Sequence, residues 1–272
     1  MTDFWIAAGT ILLGVVIQFV VMGAVRGTIE RVWPIEPARP ARDTVNLASY
    51  LTWFLASVVL SPGVSLYGTL LVNQFGSGFI ALPKTGWGAV GGFLLYFAVM
   101  DFAEYVFHLA EHKFPWLWSM HSLHHSDRNF DSTTGVLHHW GAPIVHALTV
   151  TVPLGLVFKI PPLYVALYSL IGLHVYLMHA NVKLDFGRWA WVWTSPSYHR
   201  VHHSCAPQHV DRNFASMLPI WDVLFRTYRP AQPGEWPPVG LDDGDHAKSL
   251  FDLLFWPVRG LVRGWARPAV VR

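Results

Sequence analysis

The chain carries one cysteine, Cys205, in 272 residues. That excludes an intramolecular disulfide framework and any four-cysteine zinc or iron–sulfur site. Charge is also scarce, at 13% of residues against about 25% in ordinary soluble domains; a soluble globular enzyme and a disordered chain are both poor readings. A net charge of +2 leaves no basic field strong enough to hold nucleic-acid phosphates. No Rossmann-type glycine fingerprint follows a strand; Gly88, Gly91 and Gly92 fall in an apolar run and read as close helix packing. What is abundant is apolar surface, 53% of residues with a mean hydropathy of +0.34, together with 14 Trp and 15 His. The tryptophans suit a membrane–water boundary.

A bilayer span needs about 20 mostly apolar residues. Phe4 to Val25 qualifies, and it lacks the basic start and small-residue cleavage site of a signal peptide. Ala48 to Val72 is a second span, interrupted at Ser61-Pro62-Gly63, and Trp87 to Phe107 a third, with Asp101 and Glu104 near its end. Pro143 to Val157 and Leu163 to His179 are individually short and suit a tight hairpin that does not fully cross. With the N-terminus outside, the outer loops hold only Lys84 and Lys159, and the other 17 of the 19 Lys and Arg lie inside. The pattern predicts an all-α, multi-span transmembrane bundle with a histidine-rich helical cap on the cytosolic side. It divides into N-terminal transmembrane helices (1–92), a central region (93–230), and a C-terminal loop and tail (231–272). Ser249 to Arg267, with Pro257 inside it, reads either as an amphipathic helix on the inner surface or as a packed terminal helix.

The histidines cluster. His108 and His112 are one helical turn apart; His121, His124 and His125 form an H-x-x-H-H pattern, which His199, His202 and His203 repeat. Roughly 0.05 such triplets are expected by chance in a chain of this composition, so two of them are a signal. On a helix, positions i, i+3 and i+4 share a face, so each triplet presents its imidazoles together. Asp101, Tyr105, His108 and His112 likewise form one stripe. Eight imidazoles brought together need partners for their nitrogens, and a transition metal supplies them. Eight ligands exceed what one such ion takes, so two ions are implied. The H-E-x-x-H zinc-protease motif is absent, and no Glu has a His three residues on, as carboxylate di-iron bundles require. The clusters lie at or beyond span ends, whereas a transporter would place its ligands near mid-span; metal transport or sensing is the weaker alternative. His146 reads as a satisfied or packing residue, His209 and His246 as exposed, and Trp221-Asp222 as a structural closure; Glu104 and Glu111 lie next to the clusters in sequence but a turn away in direction, and Glu111 reads equally as exposed.

From Phe93 to Tyr228 the sequence resembles the fatty acid hydroxylase/sterol desaturase superfamily of membrane histidine-box di-iron oxygenases. The resemblance rests on Asp101-x6-His108-x3-His112, Leu117-Trp118-x2-His121-x2-His124-His125-Ser126, His179-Ala-Asn181-Val182, Pro196-x2-His199-x2-His202-His203-Ser204, Asn213-Phe214 and Trp221-Asp222-x-Leu224-Phe225-x-Thr227-Tyr228. It implies two iron ions (Fe2+) held by the eight clustered histidines and His179. His138 falls where many members carry a further histidine, but its flanking residues depart from the family pattern, which leaves His139 and His174 as alternatives. Asp101 is the expected carboxylate that orients a ligand imidazole. The implied activity is hydroxylation of an unactivated C–H of a membrane lipid (fatty acyl, sterol or carotenoid) with O2. Desaturation on the same centre is the alternative. Electrons would come from an external ferredoxin or cytochrome with its reductase. The implied location is the inner membrane of a bacterium or the endoplasmic reticulum of a eukaryote.

Overall fold

In a computed structural model of the chain, residues 13, 14, 16–37, 44–56 and 78–262 are described, and they are mostly helical. The first half of the Phe4–Val25 run and everything beyond residue 56 in the Ala48–Val72 run, including the break at Ser61-Pro62-Gly63, lie outside them.

The helices are α1 (16–32), α2 (44–56), α3 (Gly86–Lys113), α4 (Pro115–His125), α5 (Ala142–Val157), α6 (Pro162–Met178), α7 (Pro196–His202), α8 (Ile220–Phe225) and α9 (Leu250–Val262). Prolines mark several starts, because a missing N–H costs nothing in the first turn. Pro115, Pro162 and Pro196 each open a helix, and the Ser195 hydroxyl accepts from Tyr198 N at 3.2 Å to cap α7.

Among the described residues, α3 alone is long and apolar enough to cross a membrane by itself. Its 28 residues extend about 42 Å, close to the thickness of a bilayer with its interfacial layers. Trp87 lies 89% exposed at its start and Trp116 is exposed just past its end, where boundary tryptophans belong. Helices α5 and α6 are shorter than a full crossing. The chain between them carries Phe158–Lys159, which pairs in parallel with Ile80–Ala81 (Ile80 opposite Phe158). This two-residue ladder is the exception to the all-α reading, and it brings Lys84 and Lys159, the two cations read as sharing one side, to the same end of the molecule.

The apolar layers follow from this arrangement. Tyr96, Met100, Val150 and Tyr164 join α3 to α5 and α6. Gly92 of α3 faces Tyr164 so closely that a Cβ would stand 2.6 Å from its hydroxyl, which bears out close helix packing at this glycine; Gly88 faces Pro83 instead, and Gly91 faces open space, against the same reading. Val25 and Tyr50 pack α1 and α2 on Tyr176 and Val182. Fully buried Trp256 of α9 reaches α4, donating from Nε1 to Ser122 Oγ at 3.0 Å. One face of α9 is therefore packed, while Phe251, Phe255, Val258 and Leu261 point outward. The layers leave the end of α3, the length of α4, the end of α6 and the whole of α7 facing one another.

Candidate metal centre

Nine histidines meet where these four elements converge, in two groups. The nitrogens of His108, His112, His121, His125 and His202 lie within 4.8 Å of one another, and so do those of His124, His179, His199 and His203. Each triplet was expected to present its imidazoles toward one point; instead each divides, its i and i+4 rings going to one group and its i+3 ring to the other. On α4, His121 and His125 are a turn apart and join the first group, while His124 points to the second; on α7, His199 and His203 join the second group and His202 the first. Each triplet thus serves both groups, which makes the groups neighbours: the His125 and His203 rings stack with centroids 4.3 Å apart.

The outer nitrogens of four of these rings are tied to backbone carbonyls, whereas those of His199 and His203 are buried with no hydrogen-bond partner among the described residues. His108 Nδ1 lies 2.8 Å from Phe214 O, His202 Nδ1 2.9 Å from Arg212 O, His179 Nδ1 2.8 Å from Val175 O, and His124 Nδ1 3.2 Å from Leu137 O. A carbonyl only accepts, so in each case Nδ1 carries the proton and Nε2 is a bare lone pair. The consequence is sharpest between His124 and His179, whose Nε2 atoms stand 3.1 Å apart with no proton for either to share. His199 Nε2 is 2.9 Å from the same His179 atom. His202 Nε2 is buried and has no hydrogen-bond partner among the described residues. Protonation is no remedy. Burial pushes His121 down to about 3 and holds His124, His125, His199, His202 and His203 well below the ordinary value of 6.5, neighbouring imidazoles adding to the effect in these five. Neutral imidazoles with inward lone pairs are a donor set for a cation of the imidazole-binding metals, and the residues present fit one.

The remaining expected site residues lie elsewhere. His138 stands outside both groups, its ring stacked on that of His124 at 4.5 Å. His139 Nε2 is 3.2 Å from Leu254 O, and His174 Nε2 is 2.8 Å from Thr194 O. Asp101 is fully buried but orients no imidazole. Its oxygens accept from Met217 N (3.0 Å), Leu218 N (3.1 Å) and Trp221 Nε1 (2.9 Å), pinning the 213–221 loop to α3. Asp222 holds the same loop from within, accepting from Phe214 N and Ala215 N at 2.8 Å and from the Tyr198 hydroxyl. That loop carries the carbonyl bound to His108.

Two carboxylates do approach clustered histidines: Asp211, with Oδ1 at 3.9 Å from His112 Nδ1, and more closely Glu111. Glu111 is buried rather than exposed, with Oε2 at 3.2 Å from His121 Nδ1. Its signal was its place beside His112 on the last turn of α3, where the reversal at Phe114-Pro115 folds α4 back over it. His209 corrects another expectation. It is 1% exposed, between Ser204 Oγ (2.9 Å) and Glu235 Oε1 (3.2 Å), because the 229–239 segment folds over it. A cavity of about 220 Å³ reaches His112, His125 and His202 from the side of Trp118, Asp211 and Leu241.

The fatty acid hydroxylase family model matches residues 93–227, about half of the chain. Alkylglycerol monooxygenase of Xenopus tropicalis is 27% identical over 216 residues, covering 79% of this chain and 46% of that protein. The same enzyme of Danio rerio is 31% identical over 157 residues, 56% of this chain and 33% of the relative. Ornithine lipid hydroxylase OlsE of Rhizobium tropici is 32% identical over 140 residues, 50% of this chain and 41% of the relative. The chain thus spans less than half the length of these relatives. No solved structure matches it.

Proposed function

Because the chain belongs to the fatty acid hydroxylase/sterol desaturase superfamily, we propose that it is a membrane-bound di-iron monooxygenase that hydroxylates an unactivated C–H of a lipid. The observation that carries this reading is the pair of facing, unprotonated Nε2 atoms of His124 and His179, an arrangement that is repulsive unless a cation stands between them. His108, His112, His121, His125 and His202 would hold one ion, and His124, His179, His199 and His203 the other. Iron in these sites supplies the reduction of O2 and the oxidation of the C–H bond, chemistry that redox-inert zinc lacks. The names of the relatives favour hydroxylation over desaturation.

The protein's own contribution is positioning and enclosure. The carbonyls of Phe214, Arg212, Leu137 and Val175 set the tautomers of His108, His202, His124 and His179, so the inward nitrogens of these four are donors before a metal arrives. Glu111 beside His121 Nδ1 strengthens that imidazole as a ligand. Fully buried Phe130 and Phe214 pack on the rings of His203 and His112 and keep bulk water out. The site lies at the end of α3, within reach of a lipid from the bilayer, with the histidine groups on the cytosolic side where an external ferredoxin or cytochrome delivers electrons. Anaerobically purified protein reconstituted with Fe2+ in lipid nanodiscs tests the proposal by O2 uptake and mass spectrometry of the lipids. An alcohol product that disappears in His202→Ala supports it. A double bond in the product indicates a desaturase, and metal flux without O2 uptake indicates a transporter.

A further inference from the structure

The segment 211–214, between α7 and α8, holds two residues with left-handed backbone, Asp211 (φ 58°) and Asn213 (φ 61°). Asp and Asn are among the few side chains that take this conformation, and it persists where the surroundings over-determine it. At Asn213 they do. The residue is fully buried, and its amide is bound at both ends. Nδ2 donates to Tyr198 O at 3.0 Å and to Arg229 O at 2.8 Å, while Oδ1 accepts from Arg229 N at 2.7 Å. The backbone N–H of Asn213 donates to Thr227 O at 3.0 Å. One side chain thus ties the first turn of α7 to the segment that follows α8.

The carbonyls on either side of Asn213 both serve the metal centre. Arg212 O lies 2.9 Å from His202 Nδ1, and Phe214 O lies 2.8 Å from His108 Nδ1. Asp211 Oδ1 stands 3.9 Å from His112 Nδ1, and the same carboxylate pairs with Lys113. The Phe214 ring meets His112, His108 and His202 edge-on, with centroids 5.0, 5.7 and 5.7 Å away. Four consecutive residues therefore reach three ligands on two helices, α3 and α7, and all three belong to the first group. Among the described residues, no hydrogen bond, ion pair or ring contact joins this turn to the second group. There His124 and His179 are held by Leu137 O and Val175 O, from other parts of the chain. Moving the turn acts on one group and spares the other.

We propose that Asn213 is a positioning residue for the first ion alone. By holding the left-handed turn it sets Arg212 O against His202 and Phe214 O against His108, so this ion site can be weakened without touching its neighbour. The assignment rests on the reading of the two histidine groups as ion sites, not on the oxygen chemistry. Full-length protein in lipid nanodiscs is titrated anaerobically with Fe2+ against a competing chelator, in two backgrounds. In His179→Ala the first group holds the remaining iron, and in His121→Ala the second group does. Asn213→Ala loses the side-chain bonds and strains the left-handed backbone. It weakens iron binding by about 10–100-fold in the His179→Ala background and leaves it unchanged in the His121→Ala background. Asn213→Gly takes a positive φ freely, so it shows the same selectivity with a smaller loss, which separates the effect from misfolding. Unchanged affinity in the His179→Ala background, or an equal loss from both groups in both variants, would overturn the proposal. A selective loss in protein that takes up two irons yet consumes no O2 leaves the positioning role standing and removes the hydroxylase reading. Lipid hydroxylation by protein whose two irons weaken together does the reverse.

Discussion

Replacing Glu111 separates an orienting carboxylate from a merely buried acid. Its Oε2 lies 3.2 Å from His121 Nδ1, and both side chains are shielded from water. Outer carboxylates on ligand histidines are worth about 10–100-fold in metal affinity, or about 1.4–2.8 kcal/mol. Gln keeps an oxygen that can accept from Nδ1–H but lacks the charge, so Glu111→Gln falls near the tenfold end. Leu removes the acceptor and strands a buried N–H, so Glu111→Leu falls near the hundredfold end. His121→Ala removes a ligand outright and exceeds both. Anaerobic Fe2+ titration with a competing chelator measures all three. Wild-type affinity in Glu111→Leu, with an unchanged melting profile, would refute the reasoning and reduce the contact to packing.

The other substitutions distinguish ligands from supports. His179→Ala lowers bound iron in metal analysis, whereas His138→Ala, which removes a ring stacked beside His124 and outside both groups, leaves it near the wild-type ratio. Asp101→Ala strands three buried donors at about 1–3 kcal/mol each, so it lowers the unfolding midpoint by denaturant while the folded fraction retains its metal. Trp256→Ala empties a fully buried site and costs about 3–5 kcal/mol, read by the same unfolding curve. Acid acts on the metal-free protein through the histidines. Their folded-state values lie below 6.5, so the unfolded chain binds more protons and stability is lost as pH falls from about 6.5 towards the His121 value of about 3. Melting temperatures across that range check the sign.

The centre was legible in the sequence because its ligands obey helical periodicity. The triplets at 121–125 and 199–203 marked the ligands, but not that the i+3 ring of each would turn to the other group, since that depends on where the facing helices stand. Close packing at Gly92 was legible for the same local reason. Nonlocal contacts were not. Asp101 sits on the ligand stripe of α3, which suggested an imidazole partner, yet its donors are the 217–221 backbone and indole, more than a hundred residues on. Glu111 meets His121 only because the chain reverses at Phe114-Pro115. His209 looked like a loop residue until Glu235 folded over it. The Ile80–Ala81 and Phe158–Lys159 ladder, two residues a side, is too short to leave any alternation.

Mössbauer spectroscopy of anaerobically reconstituted, 57Fe-loaded protein, paired with metal analysis of the same sample, tests the two-group architecture most directly. About two irons per chain are predicted, in nitrogen-rich environments, with magnetic coupling after oxidation that the His124→Ala variant loses. A single uncoupled iron, or stoichiometric zinc that iron cannot replace, would contradict it.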